Sequence, residues 1–323
     1  MEFLKEHDRA TPYFKLFLSF GLSLFFIRFL IWTDTFHSSL LYIAWPFGLS
    51  MILYYFTPQT DGSTWLRRFW NNLRVGLIFL FGSSLVLMEG YVCVIMFMPI
   101  FFVGFLIAFI SDYFFYRYGK GSMNAHVIPF IVALVSLEGA TDVTTFNRYN
   151  EVTHTQIIAS SVADIKRRIE RPAEPKAKRH WMLWLFPMPK KVGSARLDEG
   201  ETRTYEFEYH RWFATNTHRG NIEVTFAKVA DNHFKTTIKD TSYIASYMKL
   251  HGTELTLDPI SENETRVTLK VAFDRAIDPV WYFEPLQRFA VKKGAAYFVK
   301  NLLHKPLEQE ARSLRSDFEQ PHG

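Results

Sequence analysis

Hydrophobic positions fall in two patterns along this chain, long apolar runs before about residue 138 and short alternating stretches after it. Residues 13–32 form a run of roughly twenty mostly apolar residues, enough for a helix across about 30 Å of hydrocarbon. Lys15 and Arg28 lie near its ends, where both can snorkel. No small-residue cleavage site follows, so a retained anchor is expected rather than a signal peptide. A second span is predicted over 37–56, bent at Pro46. Trp65, Leu66, Phe69, Trp70 and Leu73 then recur at helical spacing beside Arg67, Arg68 and Arg74, which predicts an amphipathic segment in the headgroup zone. The run 75–115 is too long for one crossing, and Glu89-Gly90 divides it into a hairpin, 75–88 and 91–110. The run 128–137 is too short to span and is expected as a strand or a membrane-grazing helix.

Basic residues set the orientation. Lys5 and Arg9 precede the first span, Arg67, Arg68 and Arg74 separate the second and third, and Arg117 and Lys120 follow the fourth. The turns between carry none, so both termini are expected in the cytoplasm.

After residue 145 the period changes. Residues 152–157 alternate as a strand; Ser160 or Ser161 caps a helix to Glu170 that buries Val162, Ile165 and Ile169. Residues 171–191 read as irregular, with prolines at 172, 175, 187 and 189. Strands are predicted at 202–210, 221–229, 234–240, 242–249, 250–258 and 265–274. In the last, Val267, Leu269, Val271 and Phe273 share one face. Asp278-Pro279 supplies a helix start, and Pro285 opens a pattern of Leu286, Phe289, Ala290, Gly294, Tyr297 and Phe298 on one helical face. Gly294-Ala295-Ala296 removes bulk where leucine would fit, which implies close packing or a space left open. Pro306 ends the element.

This order of elements resembles the START-like, polyketide cyclase/dehydrase (SRPBCC) superfamily. The local sequence is similar to a membrane-anchored bacterial branch at Ile158-Ala159-Ser160-Ser161-Val162, Phe186-Pro187-Met188-Pro189, Thr202-Arg203-Thr204-Tyr205-Glu206-Phe207, Thr265-Arg266-Val267-Thr268 and Asp278-Pro279-Val280-Trp281-Tyr282-Phe283. The resemblance covers about residues 148–304. It implies an α+β helix-grip domain in which a curved antiparallel sheet wraps a long C-terminal helix around an apolar cavity. Carried onto this chain, the lining is Tyr205, Phe207, Phe226, Phe234, Ile238, Leu255, Leu257, Leu269, Val271 and Phe273, with Phe289, Gly294, Tyr297 and Phe298 from the helix. The alternative is a solid core built of the same residues. Members of the superfamily bind lipids, sterols, polyketides or hormones, and some are enzymes.

Composition changes the picture in three places. Of the 323 residues 48% are hydrophobic, concentrated in the first half, so an α-helical membrane domain of about four transmembrane helices (1–138) is expected before the START-like domain (145–305) and a C-terminal tail (306–323). The net charge of +5 is too mild for nucleic acid and suits an anionic membrane surface. The single cysteine, Cys93, excludes an internal disulfide.

Candidate chemistry is sparse. Trp181, Trp184, Leu185 and Phe186 lie between Lys176, Lys178 and Arg179 on one side and Lys190 and Lys191 on the other, a pattern suited to a membrane-facing lid or to packing on a sheet edge. The 11 histidines include no HExxH motif, so neither metal nor cofactor is expected. Gly119-Lys120-Gly121-Ser122 lacks the rest of a phosphate loop, and the sequon Asn263-Glu264-Thr265 would be inert in the cytoplasm. Glu206, Glu208 and His210 fall on the strand face opposite Tyr205, Phe207 and Tyr209; Arg211, Asp240 and Tyr243 complete the acid–base candidates. The expected partners are the lipid bilayer and a hydrophobic small molecule or lipid, at the cytoplasmic face of a bacterial inner membrane. A cyclase- or dehydratase-type enzyme acting on a polyketide-like substrate, or a partner-binding module, is the alternative.

Overall fold

A computed structural model describes residues 18, 21–56, 64–86, 91–118, 131–171, 180–181, 183, 189–193, 195–212 and 215–300. For 53–56, 65, 68, 83–86, 91–93, 97, 111–118, 191, 209–212, 215–216 and 243 it describes the backbone alone. The chain divides into two compact units. The first contains residues 1–147, 210–216 and 277–283, and the second contains 148–209, 217–276 and 284–323.

The first unit is helical. Helix α1 is described over 21–32, followed by α2 (Trp45–Phe56), α3 (Trp65–Val86) and α4 (Tyr91–Tyr118). The predicted bend at Pro46 is replaced by a π-helical turn, Leu40–Ala44, immediately before α2. Proline is tolerated there because its missing N–H falls in the first turn. The amphipathic segment and third span of the sequence reading are one helix, α3, since no proline or glycine pair interrupts 65–86. Residues 131–135 are helical rather than a strand, and the Glu89-Gly90 turn lies outside the described residues. Phe69 packs at a steep angle against the rings of Phe105 and Phe109 of α4, and Gly104 lets the backbone of Phe47 approach to 3.1 Å of where a Cβ would stand. Among the described residues no helix is long and apolar enough to cross a membrane.

The second unit is built on a seven-stranded antiparallel sheet in the order β1-β7-β6-β5-β4-β3-β2. Its strands are β1 (Tyr149–Ile158), β2 (Pro189–Val192), β3 (Thr202–Trp212), β4 (Thr215–Ala230), β5 (His233–Asp240), β6 (Met248–Ser261) and β7 (Glu264–Arg275). Helix α5 (Val162–Glu170) follows β1 and α6 (Val280–Phe298) follows β7, the arrangement of a helix-grip fold. Ser161 caps α5 by accepting from the Asp164 amide, so the chain turns from strand to helix in three residues.

Two departures from the sequence reading shape the sheet. Residues 242–247 are not a strand: Asp240 Oδ1 accepts the Ser242 amide at 2.7 Å, and Ser242 caps a 3₁₀ turn, Tyr243–Ser246. Side-chain acceptors offered locally here outcompete a ladder partner. The strand then runs unbroken from Met248 to Ser261, with a register shift between Leu250 and Gly252 that bends it. Pro285 lies inside α6 rather than at its start, because the helix begins at Val280.

The solid part of the core joins Ile158, Ile165, Val267 and Leu257. A smaller cluster holds Val152, Met248 and Phe273.

Candidate functional site

Six strands and two helices of the second unit surround a cavity of about 330 Å³. Period-two alternation places every other side chain on its wall. Strand β3 contributes Arg203, Tyr205 and Phe207; β4 contributes Ile222, Val224 and Phe226; β5 contributes Phe234, Thr236 and Ile238. Leu250, Thr253 and Leu255 come from β6, their faces re-aimed by the shift at Gly252, and Leu269 and Val271 come from β7. Helix α6 closes the space with Ala290, Val291, Gly294, Ala295, Tyr297 and Phe298.

Gly294 explains why the space remains. A Cβ there would meet nothing within 4 Å, so the small residue faces the void rather than a close neighbour. A leucine at that position would project into the cavity.

Eleven of the residues inferred for the lining stand on the wall, namely Tyr205, Phe207, Phe226, Phe234, Ile238, Leu255, Leu269, Val271, Gly294, Tyr297 and Phe298. Leu257, Phe273 and Phe289 do not. Leu257 and Phe273 are fully buried in the two packed clusters, where neighbouring side chains occupy the space in front of them. Phe289 is 43% exposed and lies on the outer side of α6, its ring 5.9 Å from His180 and under the Lys293 ammonium. One residue of rotation separates it from Ala290, which does face the cavity. Of the lid residues, Trp181 is exposed and stands beside His180, while Trp184, Leu185 and Phe186 lie outside the described residues. Leu183, from the same segment, is buried and lines the wall.

Of the lining residues that the sequence reading left out, Arg203 is the charged one among those described. It is 5% exposed, and its Nη2 donates to the carbonyl of Ile169 and, at 3.5 Å, to that of Ala195. Its guanidinium lies close enough to Tyr205 to act on the phenol. Burial pushes the Tyr205 phenol above its ordinary value, and Arg203 offsets part of that rise. Alternation alone would have found it, since Arg203, Tyr205 and Phe207 share a strand face.

The acid–base candidates lie elsewhere. Glu206 is exposed, and Glu208 pairs with Lys190 on the outer face. Asp240 is at the end of β5, outside the lining, with burial raising its carboxyl and the Ser242 hydrogen bonds opposing that. The side chains of His210, Arg211 and Tyr243 are not among those described. No His, Asp or Glu stands among the described lining residues, and none of the described residues forms a cluster able to hold a metal.

No protein-family model and no curated protein matches the sequence. Similarity to solved structures covers about half of the chain. A point mutant of norcoclaurine synthase from Thalictrum flavum, in complex with a transition-state analogue, is 14% identical, with 49% of this chain and 94% of that chain covered and a TM-score of 0.31. The Zhui aromatase/cyclase from Streptomyces sp. R1128 is 13% identical over 48% of this chain and 92% of its own, with a TM-score of 0.31. A protein from Arthrobacter aurescens is 14% identical over 47% and 83%, with a TM-score of 0.32.

Proposed function

We propose that this chain binds a hydrophobic small molecule or lipid in the cavity between its sheet and α6. The cavity itself carries the reading. A void of about 330 Å³ is the size of a small-molecule site. Water would find few polar partners on so apolar a wall, which leaves an apolar guest as the occupant that fits.

The same reading places the protein at the cytoplasmic face of a bacterial inner membrane, with residues 1–138 as its anchor and 145–305 as the binding domain. Its support is the apolar surface of the helical unit. Phe25, Trp32, Ile78 and Val103 are 71%, 82%, 69% and 55% exposed. Hydrocarbon around such side chains would stabilise each by about 1.5–3 kcal/mol. A domain tethered there meets membrane-dissolved ligands at high local concentration, and exposed Trp181 suits a lid resting on the leaflet.

Mass spectrometry of solvent extracts from the purified full chain tests the binding. An apolar compound near one equivalent is expected. A chain that yields none and takes up no Nile red overturns the reading. For the anchor, the full chain should stay with membranes through an alkaline carbonate wash, and its release would refute insertion.

A further inference from the structure

We propose that the cavity's ligand is an amphiphile with an oxyanion head, and that Arg203 is the residue that holds that head. The inference rests on the binding reading above and narrows it to a ligand class.

Arg203 is the one charged side chain among the described lining residues. At 5% exposure it has lost nearly all its water, and among the described residues it has no carboxylate partner. Among the described residues its hydrogen bonds go to two carbonyls, both neutral, and its Nε has no partner. The Ile169 carbonyl belongs to the last turn of α5, whose dipole offsets part of the cation's lost hydration. That offset is small beside the several kcal/mol that burying an ion costs. Among the described residues nothing supplies the negative charge that a permanent cation in an apolar chamber calls for, and a ligand would supply it.

The remaining polar groups do not compete for this role. Thr236 and Thr253 spend their hydroxyls on each other at 2.8 Å, and Thr236 also accepts the Thr253 amide. Tyr205 adds a neutral hydroxyl beside Arg203. Polar recognition is thus concentrated at one point, while Ile222, Val224, Ile238, Leu269 and Phe298 offer only hydrocarbon to the rest of the molecule. The planar guanidinium suits either a carboxylate or a phosphate oxygen pair. A fatty acid and a phosphate-headed lipid share this chemistry, and the test separates them.

Full-chain protein in amphipol at pH 8, loaded with Nile red, is titrated with dodecanoate, dodecyl phosphate and dodecanol. At least one of the two anions is expected to displace the dye about tenfold to a hundredfold more tightly than the alcohol. The tighter anion identifies the source of the head. Arg203→Gln should erase that preference while leaving dodecanol unchanged, and Arg203→Lys should keep part of it. Equal displacement by acid, phosphate and alcohol overturns the role of Arg203 and leaves the cavity reading standing. Failure of all three to displace a bound dye overturns this ligand class, and failure of the dye itself to bind overturns the cavity reading with it. Should the Arg203 variants not fold, the comparison among ligands on the unaltered chain still decides.

Discussion

Gly252 on β6 and Thr236 on β5 approach so closely that a Cβ on the glycine would stand 2.1 Å from the threonine carbonyl oxygen. The contact lies where the β6 register shifts, between Leu250 and Gly252, and the strand bends there. Backbone meets backbone, so a methyl group has no flexible side chain to displace. Gly252→Ala should lower stability by about 1–3 kcal/mol. It should also weaken Nile red uptake, because the bend sets the aim of Leu250 and Thr253 into the cavity. Thermal unfolding and dye titration on the same sample check both.

Gly294 shows the opposite case. Its Cβ would enter open space, and glycine inside a helix costs about 1 kcal/mol relative to alanine. Gly294→Ala is therefore expected to raise Tm and leave dye binding nearly unchanged. Gly294→Trp should fill the chamber and abolish uptake without unfolding the chain. Retained uptake in the tryptophan variant would show that the dye sits elsewhere.

These two glycines mark what the sequence disclosed and what it hid. Alternation in β7 and the cap at Ser161 placed elements from local chemistry alone, whereas α6 begins at Val280, one residue after the proline expected in its first turn. The small residues at 294–296 left close packing and open space undecided, because a missing side chain looks the same in both. The turn at Tyr243–Ser246 was hidden because its residues also fit a strand, and only the hydrogen bonds accepted by the Asp240 and Ser242 side chains decide it. Leu257 and Leu255 alternate on one face, yet one fronts packed neighbours and the other the void. That difference depends on what α5 and α6 place opposite, which no strand pattern contains.

Tyr205 should give the fold a pH limit on the alkaline side. Burial raises its phenol above the ordinary value of 10.0. The unfolded chain then loses this proton first as pH rises, while the folded chain keeps it. The stabilisation is fully present below the unfolded value and is lost as pH climbs through the folded one. Tyr205→Phe should flatten the decline in stability above about pH 10. Arg203→Gln removes a positive neighbour that favours the phenolate, so Tyr205 should titrate at still higher pH in that variant. Ultraviolet titration of the phenolate band reads this directly.

Asp240 follows the same sign at the acid end. Its carboxyl is raised from 3.8 by burial, with the hydrogen bonds from Ser242 holding it down in part. A raised value favours the protonated form in the folded state, so this group's contribution declines as pH rises through its folded pKa. Asp240→Asn keeps an acceptor for the Ser242 amide and removes the charge. The variant should be more stable than the parent at neutral pH, with the gain shrinking as the medium is made acidic. A gain that is constant with pH would point to packing rather than ionisation.

Core and cavity walls should respond differently to the same truncation. Leu257 is fully buried among Ile158, Ile165 and Val299, so its removal leaves a hole lined on every side. Leu257→Ala is expected to cost about 2–5 kcal/mol. Ile238 is only partly buried and fronts the existing void. Its outer atoms already lack neighbours on one side, so Ile238→Ala forfeits fewer contacts and should cost less than Leu257→Ala. Addition of a saturating ligand should reverse that order of sensitivity, since the guest restores the contacts of Ile238 and makes its truncation visible as weaker binding. Denaturant melts of both variants, with and without dodecanoate, measure the contrast; equal costs in the empty state would mean that the wall at Ile238 is as tightly packed as the core.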